Sequence, residues 1–251
     1  MTDSLTPPAI TPPALTPNMP APPAPARPRR RHRRLRWILA VLVALVVLIV
    51  AAVAVTTKLQ PTPAPLALPA AAAAAPVGPL DGTWRIGSGS VAGFRVQQTV
   101  LWLTSDVVGR TADVTGSAVI AGSQVSSADV RVNLLALTSA GKPAPQFTSG
   151  LDAQRYPAAT VSLAGPMILG VPFAAGTTTT ATAAAQLTLH GVTRAVTVRL
   201  SAHRDGATVQ VAGSIPVSYS DWGVTQPQGF GSLGSLADLG VAEFLLILHR
   251  N

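Results

Sequence analysis

The sequence predicts an all-β domain carried behind one N-terminal transmembrane α-helix, with proline-rich stretches on both sides of that helix. Three observations predict it. Ile38–Val55 is an unbroken apolar run. Prolines cluster before and after it. From Leu80 onward, short runs of Val, Thr, Leu and Ile alternate with Gly, Ser, Asp and Asn, the texture of strands and turns.

Bulk composition already argues against a uniform soluble body. The 251 residues are 48% hydrophobic and only 11% charged, with a net charge of +8, whereas soluble domains carry about 25% charged residues. With no cysteine, the chain has no disulfide scaffold, thiolate metal site or cysteine nucleophile. The positive charge is local. Arg27, Arg29, Arg30, Arg31, Arg33, Arg34 and Arg36 face Asp3 alone among the first 37 residues, and the stretch after Lys58 is almost neutral.

Residues 1–36 read as a disordered cytoplasmic tail. The loose repeat Leu5-Thr6-Pro7-Pro8-Ala9, Ile10-Thr11-Pro12-Pro13-Ala14 favours polyproline II and assembles no core. The arginines invite a nucleic-acid reading, but no aromatic interleaving or folded module accompanies them. They read instead as a topology determinant that also meets anionic lipid headgroups at Arg29–Arg36.

Residues 37–55 form the predicted membrane span. Eighteen apolar residues, Ile38–Val55, make a helix of about 27 Å, close to the bilayer hydrocarbon thickness. Trp37 stands where an indole meets headgroups, and the arginines before it place the N-terminus in the cytoplasm and the C-terminal domain outside. A cleaved signal is the alternative, because Ala52-Val53-Ala54 has a small-x-small form; its apolar region would ordinarily be about 7–15 residues. Residues 56–79 are a Pro/Ala-rich linker that, fully extended, reaches on the order of 70 Å.

Residues 80–251 carry the strands. Ala92/Phe94/Val96 and Val130/Val132/Leu134 alternate with period two, as do Val196/Val198/Leu200 and Val209/Val211. Leu187/Leu189 lead into His190-Gly191-Val192-Thr193-Arg194, which reads as a hairpin. Val241–His249 is apolar on both faces, so it needs cover on both sides, as in a barrel with a flanking helix or loop.

At this point the chain resembles the YceI-like family. Trp84-Arg85-Ile86 with Ser90-Val91-Ala92-Gly93-Phe94-Arg95-Val96 is similar to the family's opening pattern. Val108-Gly109 to Thr115-Gly116-Ser117-Ala118-Val119 resembles its second, glycine-bearing hairpin, and Arg155-Tyr156-Pro157-Ala158-Ala159-Thr160-Val161 its tyrosine-proline segment. Leu187-Thr188-Leu189-His190-Gly191-Val192-Thr193-Arg194-Ala195-Val196 is the most specific match, and Ser220-Asp221-Trp222-Gly223-Val224 follows. The resemblance implies a lipocalin-like antiparallel β-barrel that binds a polyisoprenoid or similar long apolar lipid, without catalysis or cofactor. The chain departs from the family between Lys142 and Asp152, where Arg-Asp-x-His-Leu is missing, so no role at those positions is carried over.

Alternating inward side chains could line an apolar tunnel. The wall residues named on this basis are Phe94, Val96, Val132, Leu134, Leu189, Val198, Phe244 and Leu246. The same residues would equally serve a filled barrel core, which would make the protein a structural or interaction module of the envelope. Gly229-Phe230-Gly231-Ser232-Leu233-Gly234 matches G-x-G-x-x-G in spelling, but it lacks the strand-loop-helix setting a dinucleotide site needs. His190, with Ser218 or Ser220 and Asp221, supplies the inventory of a hydrolase triad but not its nucleophile elbow. His190, His203 and His249 have no metal-pair spacing. Trp84, Trp102 and Trp222 are expected as packing anchors at the barrel ends.

Overall fold

A computed structural model describes residues 38–48, 62–70, 74–100, 102–224 and 234–251. The chain divides into two compact units, Met1–Gln60 and Pro61–Asn251. In the first, residues 38–48 form helix α1, and all its side chains are exposed. No helix among the described residues is long and apolar enough to cross a membrane. Trp37, residues 49–55, the tail 1–36 with Arg29–Arg36, and the glycine-rich loop up to Leu233 lie outside the described residues.

In the second unit, eight antiparallel strands close into a barrel. These are β1 (Gly82–Ile86), β4 (Val114–Ala121), β5 (Gln124–Asn133), β8 (Ala158–Leu163), β10 (Thr179–Leu189), β11 (Val192–Asp205), β12 (Thr208–Ser218) and β13 (Gly234–Arg250). They pair in that order, and β13 returns to β1 through Trp84–Arg250 and Ile86–Leu248. Closure leaves the barrel strands no free edge among themselves. The length of β13 lets it do two jobs. Its end meets β1, while Gly234–Leu245 pairs with β2 (Val91–Val100), which carries β3 (Leu103–Thr111) beyond it.

Short elements complete the unit: β6 (Thr138–Ser139), β7 (Lys142–Pro143) and β9 (Met167–Ile168), with helices α2 (Pro145–Gly150) and α3 (Val171–Ala174). The 3-10 turn Tyr219–Trp222 follows β12. The predicted hairpin is present. Leu189 faces Val192 across His190-Gly191, both with positive φ, the backbone of a two-residue type I′ turn. A Cβ on Gly191 would lie 2.5 Å from the Tyr156 ring, and Tyr156 meets His190 edge-on at 4.9 Å between ring centroids. Two segments that carry the family resemblance thus pack on each other.

The barrel ends are closed differently. At the Asp205 end, the buried Arg204 guanidinium donates to the carbonyls of Val77 (3.1 Å), Gly78 (2.9 Å) and Ala174 (3.4 Å). Trp84, Leu169 and Phe173 of α3 pack in the core cluster there. At the His190 end, Trp222 donates from Nε1 to the Leu187 carbonyl (3.4 Å), and Leu134, Leu137 and Leu151 share its cluster.

Two expectations are corrected. Trp84 and Trp222 are buried, but Trp102, next to the turn between β2 and β3, is 75% exposed. A hairpin tip has only one side against the protein, so an indole there has no core to join. The described part of the linker is also not a free spacer. Arg95 Nη2 donates to the Pro63 carbonyl (2.7 Å), Arg110 Nη2 to that of Ala64, and the Leu66 amide donates to Glu243 Oε2 (3.2 Å). Glu243, 4% exposed, accepts from Arg110 at 2.9 Å and lies 3.7 Å from Arg95, which also holds Asp106 at 3.1 Å. Proline carries no amide hydrogen, so chain of this composition binds mainly through its carbonyls, and the arginines meet that need. Residues 74–78 are held as well, by the Val77 amide on the Gly206 carbonyl (2.8 Å) and by Arg204.

Candidate functional site

The barrel encloses a cavity of about 230 Å³. Its wall is built by the period-two alternation that turns every second side chain inward. Phe94, Val132, Leu134, Leu189, Val198, Phe244 and Leu246, all named from the sequence, line it. Val96 does not. It lines a smaller cavity of about 50 Å³ beneath α2, together with Phe147, Val224 and Leu236. Phe94, Leu151 and Tyr219 border both spaces.

The lumen is open because of small residues. Large side chains at all inward positions would fill an eight-stranded barrel. Here Ala183 and Ala185 of β10, Ala118 and Ala128 contribute little volume. The two large rings are laid against the wall by glycines on neighbouring strands. A Cβ on Gly109 would lie 2.5 Å from Phe94 Cε1, and one on Gly213 would lie 2.5 Å from Phe244 Cζ. Phe94 also meets Phe147 of α2 edge-on, with centroids 5.1 Å apart, a favoured aromatic geometry.

Several wall residues are not among those the sequence singles out. Val161 and Leu163 of β8 obey the same alternation and are legible in principle. Ala183 and Ala185 alternate with threonine and alanine, and alanine carries no signal that distinguishes lining from packing. Tyr219 lies in a turn, outside any alternating run.

The lining is apolar, and its polar groups are few. The carboxylate of Glu243 is engaged by Arg110, Arg95 and the Leu66 amide. Tyr219 is different. Burial pushes its phenol up to about 12, so it stays protonated at neutral pH. Its neighbours are clamped: Ser218 Oγ, the Ser220 amide (2.8 Å) and Ser220 Oγ (2.8 Å) all donate to Asp238. Those hydrogen bonds hold the Asp238 carboxyl below its usual value. Asp238 reaches them from an irregularity in the β13 register between Leu236 and Gly240, the re-aiming that a bulge provides.

Ser218, Ser220 and His190, inventoried for a hydrolase, go to other partners. Both serines turn to Asp238, while His190 Nδ1 lies 3.1 Å from the Trp222 carbonyl. The Asp221 carbonyl accepts from Arg194 Nε at 2.6 Å. Among the described residues no group of three His, Asp or Glu is placed to hold a metal ion.

Comparison with known proteins agrees with this architecture. A polyisoprenoid binding domain from Saccharophagus degradans, implicated in plant cell wall breakdown, shares the fold at a TM-score of 0.54 and 17% identity, over 68% of this chain and 99% of that one. BcnA from Burkholderia cenocepacia aligns at a TM-score of 0.45 and 19% identity, over 61% and 95% of the two chains. No curated protein matches the chain. The YceI-like domain matches residues 84–241, the stretch from the buried Trp84 of β1 into the strand that closes the barrel, and on that match the chain belongs to the YceI-like family.

Proposed function

We propose that this protein is a membrane-anchored, extracytoplasmic lipid-binding protein that holds a polyisoprenoid or similar long apolar molecule inside its barrel. The observation that carries the reading is the open apolar lumen. An engineered cavity of about 150 Å³ binds benzene; on that scale 230 Å³ takes roughly ten carbons, about two isoprene units. At about 0.8 kcal/mol per buried CH₂ that is on the order of 8 kcal/mol before the costs of binding. A longer prenyl chain must leave the lumen at one end, and the small cavity under α2 lies beside it, with Phe94, Leu151 and Tyr219 lining both. The relationship to a fold neighbour described as polyisoprenoid binding supports the same ligand class. The reading is of a binding protein, not an enzyme.

Anchoring is supported by the sequence. Ile38–Val55 is wholly apolar and follows the arginine block, and its described part, 38–48, is helical with every side chain exposed. In this reading the helix is retained, Arg29–Arg36 meets anionic headgroups on the cytoplasmic side, and the barrel lies outside. The open lumen weighs against the alternative of a filled barrel that serves only as a docking module.

Two experiments test the reading. Full-length protein purified from cells is extracted with organic solvent and the extract analysed by mass spectrometry; a stoichiometric prenyl lipid is expected. An empty extract, with no thermal shift on adding polyprenol, would sink the lipid assignment. A reporter fused after Asn251 should be active only outside the cytoplasm, and activity inside would reverse the orientation.

A further inference from the structure

The hairpin of β2 and β3 ends in an anomaly. Val100 pairs with Leu103, so the sequence that joins the two strands is Leu101-Trp102. Tight hairpin connections draw on Asn, Asp and Gly, which reach positive φ at little cost; this one is written in large apolar residues. Trp102 is 75% exposed, whereas Trp84 and Trp222 are buried. From Gln97 to Ser105 no residue is charged, and Asp106, the first acid beyond, is held by Arg95 at 3.1 Å. The hairpin also outruns the barrel at the His190 end. There β12 follows β13 only as far as Ser218 with Leu239, while β2 follows it on to Val100 with Gly234.

The proline-rich segment ahead of β1 says what meets this tip. Its pinned points climb the barrel in order. Val77 is held by Gly206, next to the Thr208–His249 pair at the Asp205 end. Leu66 is held by Glu243, and Pro63 by Arg95, which pairs with Val241. Followed backwards, the chain therefore heads toward the end where the tip projects, away from the exposed Ile168 and Val171 at the Asp205 end. Eight residue steps separate Pro63 from Val55, the end of the apolar run, a reach of at most about 28 Å. Trp102 lies seven positions beyond Arg95, about 23 Å at the rise of a strand. The lengths match, so a bilayer that holds Ile38–Val55 is within reach of the tip, and an indole suits its headgroup level. We propose that the Trp102 hairpin tip docks on the bilayer that carries the anchor, by apolar contact that needs no charged headgroup. This rests on the anchored reading above and adds a second point of attachment. Two points fix an orientation that one tether leaves free, and they turn the smaller cavity's end of the barrel toward lipid: Leu236, which pairs with Gln98 of the hairpin, lines that cavity.

The test uses full-length protein in phosphatidylcholine nanodiscs. Because the chain has no cysteine, Thr104→Cys beside the tip and Val171→Cys at the other end each take a single NBD label. Doxyl-labelled phosphatidylcholine in the disc should quench the label at the first site and not at the second, and added salt should leave that difference unchanged. Adding Trp102→Ala should abolish it, while the denaturant midpoint stays that of the labelled parent. Equal quenching at the two sites, stronger quenching at the Val171 site, or quenching beside the tip that survives Trp102→Ala overturns the docking. So does a tip label shielded from aqueous iodide yet not quenched by lipid, which would seat a second copy there. Loss of the difference in salt overturns it too, because charge would then hold the tip. A chain that washes off the discs overturns the anchored reading and the docking with it, whereas a chain that stays on them with an unquenched tip overturns the docking alone.

Discussion

The ring of Phe94 lies against Gly109 on the neighbouring strand, so close that a Cβ there would stand 2.5 Å from Cε1. This contact keeps a large side chain out of the lumen it faces. Gly109→Val should drive the ring inward, cost about 1–3 kcal/mol through overpacking and reduce bound lipid. Ala185→Leu places new volume straight into the lumen, which has room for it. Ligand capacity should then fall at least several-fold while the melting temperature changes little. Solvent extraction and calorimetry on the two variants separate loss of space from loss of fold.

The Glu243 carboxylate is buried between Arg110, Arg95 and the Leu66 amide. Removing one member of a buried, hydrogen-bonded charge pair typically costs about 3–5 kcal/mol. The arginines retain some exposure and Asp106 still balances Arg95, so Glu243→Ala should fall at the lower end, near ~3 kcal/mol. The chain over 62–68 should also become a preferred site of limited proteolysis, because its pinning carbonyls and amide lose their order together. Unchanged cleavage kinetics would show that packing alone holds the strap.

Asp238 titrates below its usual value of 3.8 because Ser218 and Ser220 donate to its charged form. A carboxyl depressed in the folded state adds stability above its unfolded value and loses that addition as pH falls through the folded value. The clamp on the Tyr219 turn should therefore hold at neutral pH and weaken below about pH 4. Thermal melts of wild type and Asp238→Asn should differ at about pH 7 and converge as the pH falls below the usual carboxylate range. A constant gap would assign the difference to shape, not charge.

Trp84 and Trp102 make a paired control. Trp84 is 1% exposed and donates from Nε1 to the Leu80 carbonyl at 2.8 Å, so Trp84→Ala should cost about 3–5 kcal/mol. Trp102 is 75% exposed, and its replacement by Ala should stay within about 0.5 kcal/mol. Denaturant melts of the two variants check the contrast.

Where inward and outward residues alternate, the lumen wall is legible in the sequence. Phe94, Val132, Leu134, Leu189, Val198, Phe244 and Leu246 belong to one wall because a strand has period two, and they line one cavity. Val96 shares that face of β2 with Phe94, yet it lines the smaller cavity, together with Phe147 of α2 and Leu236. Periodicity states a face; it does not state what stands opposite. Trp102 shows the same limit, since an indole reads as core wherever it occurs until the hairpin tip is placed.

The sequence by itself determined the all-β domain and its hairpin at His190-Gly191, along with the apolar run behind an arginine block and the family. These are local properties, written in period, turn chemistry and charge order. The tertiary structure alone decided that the lumen is open and that the proline-rich segment 62–68 lies on the barrel. Each depends on residues far apart in the chain meeting: Phe94 with Gly109, Phe244 with Gly213, Arg110 with Glu243, Tyr219 with Gly240. Close packing converts the absence of one Cβ into space for another residue's ring, and no one-dimensional pattern records which pairs will meet.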